Sequence, residues 1–345
     1  MVLSLPAKIP LSRKKKKGDL LSLVIMMLLI TAYLIQAAQS TILSIMTSPQ
    51  ALFSVAGKNV LVTGGSRGIG LMIASQFFRH GANVLLTSRD PKACQEAANS
   101  ISSDISTASN KVHHVASNVS TREGCKALAH HTSDIFNGRL DVLVNNAGAS
   151  WGEDPGYDKG SRESGKMNWG WDKVMDLNVK GMFYLTRECV PLLQRREVND
   201  NNSDSESGVP IDPGRVINIG SITGFIPQNA PTHAYEVSKA AVHHLTKKLA
   251  SDLAPRGITV NAIAPGYVKT RMSSGLSTWL PKMDDEKEAE HVISDTIPLG
   301  RMGNADDMGG AAIFLSSKAG SFCTGHILAV DGGSVGCIQI PLSNL

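Results

Sequence analysis

From Gly57 onward, short runs of aliphatic and β-branched residues alternate with longer stretches whose apolar positions recur at helical spacing. Such alternation predicts a parallel sheet covered by helices. The pattern places strands at Asn59–Thr63, Asn83–Ser88, Lys111–Ser117, Leu140–Asn145, Arg215–Ile219, Thr259–Ile263 and His326–Val330. Several of these are apolar almost throughout, as strands buried on both faces must be. Helices are predicted at Gly68–His80, Pro91–Ser103, Arg122–Phe136, Trp171–Gln194, Ala234–Ala254 and Asp306–Ser316. The expectation is an α/β chain: a doubly wound, seven-stranded parallel sheet with helices on both faces, in a single domain over 57–345.

Two stretches stand apart from this pattern. Residues 197–213 (EVNDNNSDSESGVPIDP) are polar and poor in core-forming residues, which predicts a flexible surface insertion. Near the start, Arg13–Lys17 is followed by Leu20–Ala38, nineteen residues without a charge. An apolar helix of about 20 residues suits a bilayer core, and flanking basic residues favour the cytoplasmic side. The sequence therefore predicts a basic tail (1–19), a membrane anchor (20–38) and a linker (39–56), with the domain on the far side. A cleaved signal sequence is one alternative; a cytoplasmic chain whose translation starts at Met46 is another.

The net charge of +4 invites a nucleic-acid reading, but residues 1–19 carry +5 and the remainder −1, which removes it. The five cysteines are scattered and odd in number, with neither a C-x-x-C pair nor zinc spacing, and read as free thiols. The doublets His113-His114, His130-His131 and His243-His244 do not converge, because neighbours on a helix or strand point apart. No metal site is expected.

Chemistry begins where the first strand runs into Thr63-Gly-Gly-Ser-Arg-Gly-Ile-Gly70 and a helix follows. Glycines allow a tight turn and close backbone approach, and the helix N-terminus offers free N–H groups to phosphate. In this strand-turn-helix setting the motif predicts a Rossmann dinucleotide site built on Gly64, Ser66, Arg67, Gly68, Ile69 and Gly70. The second strand ends in Leu86-Thr-Ser-Arg89, without an acid at its tip to take a ribose 2′-hydroxyl. Arg89 and Arg67 instead suit a 2′-phosphate, so the expected cofactor is NADP(H).

Tyr235-Glu-Val-Ser-Lys239 places a phenol and an ammonium on one helix face. A phenol of pKa about 10 is a poor acid or base near neutrality, and a nearby cation lowers that value. Ser221 lies just past the fifth strand, at the carboxyl edge where such sheets bind ligands. Asn178 is a polar residue in a helical run, and Asn145-Asn146-Ala147-Gly148 closes the fourth strand.

Taken in order, T-G-x-x-x-G-I-G, N-N-A-G, Asn178, Ser221, Y-x-x-x-K and Pro265-Gly266 resemble the short-chain dehydrogenase/reductase superfamily, from Gly57 to about Ser334. The resemblance implies hydride transfer between nicotinamide and a ketone/secondary-alcohol pair. Tyr235 would be the acid/base, Lys239 the group that lowers its pKa and binds the nicotinamide ribose, Ser221 the holder of the substrate oxygen, and Asn178 the anchor of a relay water. Asn146, Ala147, Gly148, Pro265, Gly266, Val268 and Thr270 would line the cofactor site, with Thr270 at the carboxamide. Many relatives carry an acid at the adenine, where this chain has Asn118, whose amide can still bond a base edge.

Asn145–Gly152, Trp171–Val179, Arg215–Ser221 and Ile263–Gly266 are similar to the rhamnolipid-biosynthesis type of 3-oxoacyl reductase, which implies a 3-oxoacyl thioester substrate. The likeness is weaker over Trp151–Trp169 and Val268–Gly300. A steroid, retinoid, sugar or secondary-metabolite ketone is the alternative within the same chemistry, and a non-catalytic NADP-sensing interaction protein is the alternative outside it. The superfamily also implies a homodimer or homotetramer built on Trp171–Gln194 and Ala234–Ala254.

Overall fold

The computed structural model describes residues 26–28, 30–31, 48–103, 110–150, 166–195, 212–228, 232–270 and 286–337. The chain forms two units, 1–51 and 52–345. In the first, the described part of 20–38 is a helical turn in which the Thr31 hydroxyl donates to the Met27 and Leu28 carbonyls. The rest of that stretch, like residues 1–19, lies outside the described residues. Among the described residues no helix is long and apolar enough to cross a membrane. The membrane-anchored location expected from 20–38 is corrected accordingly: its apolar composition is not matched by a described spanning helix.

The second unit holds a seven-stranded, all-parallel sheet in the order β3-β2-β1-β4-β5-β6-β7. The strands are β1 (Asn59–Thr63), β2 (Asn83–Ser88), β3 (Val112–Ala116), β4 (Val142–Asn145), β5 (Gly214–Ile219), β6 (Ile258–Pro265) and β7 (Ile327–Val330). The principal helices are α1 (Gly68–Arg79), α2 (Pro91–Ser103), α3 (Arg122–Ile135), α4 (Lys166–Met175), α5 (Met182–Leu193), α6 (His233–Leu253), α7 (Glu286–Asp295) and α8 (Ala305–Ser316). All seven predicted strands are present, with ends shifted by up to two residues.

Side chains alternate across each strand, so a continuous apolar run feeds two cores at once. Val60, Val62, Val84, Leu86, Val144, Ile217 and Ile263 face one core, filled by Ile73 and Phe77 of α1, Cys94 and Ile101 of α2, and Met308 and Leu315 of α8. Leu61, Leu85, Leu143, Val216 and Val260 face the other, with Cys125 and Leu128 of α3, Leu185 and Leu193 of α5, and Leu249 and Leu253 of α6. All five cysteines are free, three of them buried.

One predicted helix is not a single α-helix. Trp171–Gln194 is occupied by the end of α4, a π-helical segment Asp176–Gly181, and α5. A Cβ on Gly181 would stand 2.1 Å from the Val119 carbonyl oxygen, so the widened turn brings backbone against backbone where only glycine fits. Buried Asn178 lies within this segment. α7 is an element the sequence pattern did not predict, while most of the 197–213 insertion lies outside the described residues. Its described end is fixed: Asp212 accepts from Lys58 at 2.6 Å and from Arg215 at 3.0 Å.

The sheet also carries a buried polar chain. The Asn145 amide donates to Thr186 Oγ1 at 2.9 Å and to Asn218 Oδ1 at 3.0 Å, and the Asn218 amide donates to Thr246 Oγ1 at 2.9 Å. β4 and β5 are thereby tied to α5 and α6, and each group is matched in a medium where an orphan costs about 1–3 kcal/mol. Asn218→Leu keeps the volume but strips Asn145 and Thr246 of a partner. It is expected to lower stability by about 1–3 kcal/mol for each group orphaned, read as a lower urea midpoint at unchanged slope.

Candidate active site

The strand order reverses between β1 and β4: α1 leaves β1 toward one core, and α5, after β4, packs in the other. A crevice at the carboxyl ends of the strands forms at such a point. The two strand ends are locked together there. Thr63 Oγ1 accepts from the backbone N–H groups of Asn146 and Ala147, each at 2.9 Å, while the Asn146 amide donates to the carbonyls of Thr63 at 2.9 Å and Gly64 at 3.2 Å.

The glycine turn needs its glycines for two separate reasons. Gly64 and Gly68 have φ of +62° and +56°, in the left-handed region. A Cβ on Gly70 would stand 2.3 Å from the Gly64 oxygen and 2.4 Å from Asn146 Nδ2. Helix α1 then starts at an extended Arg67 with no side-chain cap, whereas the N-termini of α3 and α8 are capped by Thr121 and Asn304. The free N–H groups of α1 suit an anion supplied from outside the chain.

Arg67 and Arg89 are exposed beyond the ends of β1 and β2, whose last paired residues include Thr63 and Thr87. Asn118, past β3, is exposed, and its Oδ1 is occupied by the Ser120 N–H and hydroxyl. That leaves its amide hydrogens to face a base. Pro265 ends β6; a Cβ on Gly266 would meet Asp331 at 2.8 Å, and Val268 is buried beside Gly303. The Thr270 methyl lies where a Cβ on Gly68 would be 3.6 Å from it, so this segment reaches the glycine turn. Ile69 is half-buried against the first core, and Ser66 is half-buried in the turn. The residues present thus fit a dinucleotide: an uncapped helix end for its phosphates, and two arginines beside the strand that would meet its ribose.

The four predicted catalytic residues converge on the same edge. Asn178 is held rigidly: its Oδ1 accepts from the Ala149 N–H at 2.9 Å, and its amide donates to the Ala149 carbonyl at 3.0 Å and to Ser238 Oγ at 2.9 Å. Ser238 in turn donates to the Tyr235 carbonyl at 2.6 Å. The sequence reading passed over Ser238, although its place between Tyr235 and Lys239 was visible. Gly148 lies beside this group; a Cβ there would be 3.3 Å from Asn178 Oδ1 and 3.8 Å from Lys239 Nζ.

Lys239 is buried, donates to the Ile219 carbonyl at 2.8 Å, and stands 5.4 Å above the Tyr235 ring centroid. Burial brings its ammonium down to about 8. Tyr235 is pushed above the usual phenol value by burial, while a hydrogen bond with the Ser221 side chain pulls the other way. In this geometry the group that favours the phenolate directly is Ser221; Lys239 lies over the ring face. Ser221 also accepts from the Thr223 N–H at 3.2 Å, which fixes its rotamer.

Comparison with known proteins gives the family. The family model described as enoyl-(acyl carrier protein) reductase matches residues 64–334. The rhamnolipids biosynthesis 3-oxoacyl-[acyl-carrier-protein] reductase of Pseudomonas aeruginosa is 38% identical over 281 residues, covering 81% of this chain and 97% of that protein. The chain belongs to the short-chain dehydrogenase/reductase family. Within it, the gluconate 5-dehydrogenase of Gluconobacter oxydans is 32% identical over 284 residues, covering 82% and 96% of the two chains. Among solved structures, the Pseudomonas aeruginosa RhlG/NADP active-site complex aligns with a TM-score of 0.69 at 36% identity, covering 83% of this short-chain dehydrogenase/reductase and 99% of that chain.

The buried ammonium has a consequence for stability. Lys239 loses its proton near pH 8 in the folded state, against an ordinary lysine value of 10.5. Between these values the unfolded chain binds more protons, so this group makes stability rise with pH across that window. Relative to Lys239→Met, the wild-type urea midpoint is expected to climb from pH 8 toward 10.5; a constant difference contradicts the burial of a charge at this position.

Proposed function

We propose that this chain is an NADPH-dependent carbonyl reductase that converts a 3-oxoacyl thioester to its 3-hydroxyacyl product. The observation that carries the reaction class is the Ser221–Tyr235–Lys239 group at the carboxyl edge of the sheet, beside the glycine turn. The thioester is supported by the name and 38% identity of the Pseudomonas aeruginosa relative, and family membership by itself leaves other ketones open. A purely sensing role has no need of a phenol beside a buried ammonium, and nothing in the site favours it.

Bound NADPH supplies the hydride. The chain's own residues supply the proton and the geometry. Ser221 and Tyr235 both present hydroxyls to a ketone oxygen, Ser221 orienting it and Tyr235 giving its proton as negative charge develops there. Burial keeps the phenol protonated in the resting site. Lys239, a cation within reach of the ring, stabilises the phenolate that remains, and its position beside Gly148 suits a bond to the nicotinamide ribose. Asn178 holds the π segment against Ala149, and the family resemblance would have it anchor a relay water. Gly64, Ser66, Gly68, Ile69 and Gly70 take the pyrophosphate, Arg67 and Arg89 the 2′-phosphate, and Asn118 the adenine. Asn146, Ala147, Gly148, Pro265, Gly266, Val268 and Thr270 wall the nicotinamide end. Exposed Trp171, Phe183 and Val237 on α4, α5 and α6 support self-association through these helices.

A carbonyl screen with NADPH, including 3-oxoacyl thioesters, tests the reading. Tyr235→Phe is expected to bind NADPH with wild-type affinity and to lose about 10²- to 10⁴-fold in turnover, the usual worth of a positioned acid; retained turnover defeats the assignment. Arg67→Ala and Arg89→Ala each remove a charge-assisted hydrogen bond of about 1.5–3 kcal/mol. Each is expected to raise the NADPH dissociation constant about 10- to 100-fold while leaving that for NADH nearly unchanged, as read by nucleotide fluorescence titration.

A further inference from the structure

His243 lies one turn beyond Lys239 on α6 and is 6% exposed. Its ring is gripped on two opposite edges by the loop that carries Ser221. A Cβ on Gly220 would stand 2.5 Å from Nε2 and 2.9 Å from Cδ2; a Cβ on Gly224 would stand 2.6 Å from Cε1 and 2.8 Å from Nδ1. The ring lies against Phe225, with centroids 4.5 Å apart and planes inclined by 46°. Nδ1 faces Gly224, and Nε2, on the Gly220 edge, is buried without a partner. Gly220 is tied to the sheet by its N–H to the Ile263 carbonyl at 2.7 Å, and Gly224 closes the turn on the Ser221 carbonyl at 3.0 Å.

From this arrangement we infer that His243 is a positioning residue for the reduction: the imidazole spans Gly220 to Gly224 and sets where the Ser221 hydroxyl meets Tyr235. The inference rests on the reductase reading above. Stability by itself does not explain a histidine here, because a buried acceptor without a partner costs about 1–3 kcal/mol that an aliphatic side chain avoids. What leucine cannot provide is a flat ring that fits between the two glycines with Nδ1 at Gly224. Burial beside Lys239 brings the ring down to about 4, so it stays neutral where the enzyme would work. The two glycines are also explained, since either Cβ would displace the ring.

The test separates positioning from packing. His243→Leu keeps the bulk and removes the planar polar edge, whereas His243→Asn places a planar amide near the site of Nδ1. A displacement on the order of 1 Å in a reacting group costs about 10²-fold, so kcat of His243→Leu is expected to fall about 10- to 100-fold. Its KM for NADPH and its melting temperature should hold, and His243→Asn should recover most of kcat. A wild-type kcat in His243→Leu, or an equal loss in His243→Asn, overturns the inference. Should His243→Leu fail to fold, His243→Asn and His243→Ala decide: kcat kept in His243→Asn and lost in His243→Ala supports the inference, and equal kcat in the two overturns it. A wild-type chain that binds NADPH but reduces no ketone defeats the reductase reading instead, so the two failures are distinct.

Discussion

Adjacent parallel strands whose following helices depart to opposite faces cannot close over their own carboxyl ends. In this chain the opening lies between β1 and β4, and Thr63 with Asn146 decides its width by bonding the two strand ends to each other. Everything that gives the site its chemistry is placed relative to that junction. The glycine turn springs from one side of it and Asn145–Gly148 from the other. Gly70 is excluded from bearing a side chain because the same amide nitrogen occupies the space.

On the far side of the crevice a second constraint operates. α6 delivers Ser238, Lys239 and His243 along one buried face, with half-buried Tyr235 beside them, in contact with the π segment and with the turn after β5. Low dielectric then does two things. It makes the ammonium easier to deprotonate and the phenol harder to ionise, and it raises the cost of any polar atom without a partner. The polar groups respond by forming chains: Asn178 to Ala149 and Ser238, Ser238 to the Tyr235 backbone, Lys239 to Ile219. These hydrogen bonds hold the Asn178, Ser238 and Lys239 side chains in one arrangement.

Charge is distributed according to the same economy. Arg215 is fully buried at the opposite end of the sheet, yet its guanidinium donates to the Leu315 and Ser317 carbonyls at the end of α8, to Pro213 and to Asp212. It therefore closes a helix terminus and anchors the start of β5. The arginines read as cofactor ligands, Arg67 and Arg89, are by contrast exposed. A sequence does not distinguish these arginines by type, and only the tertiary structure divides the buried one from the exposed ones.

Local patterns determined a great deal on their own. Alternating apolar runs located all seven strands because burial on both faces leaves no freedom in composition, and the glycine turn was legible because positive φ and close backbone approach admit no other residue. Tyr235 and Lys239 were legible as a pair because helical spacing alone brings them together. The apolar stretch over 20–38 shows the limit of composition, which states that a segment is greasy but not what structure it adopts. Likewise, helical periodicity over Trp171–Gln194 could not reveal the π segment, at whose end Gly181 lies against the Val119 carbonyl, far away in the chain. The pull of Ser221 on Tyr235, the bond of Lys239 to Ile219 and the grip of Gly220 and Gly224 on His243 join residues far apart in the chain. Such contacts exist only once the sheet has assembled, so tertiary structure alone decided them.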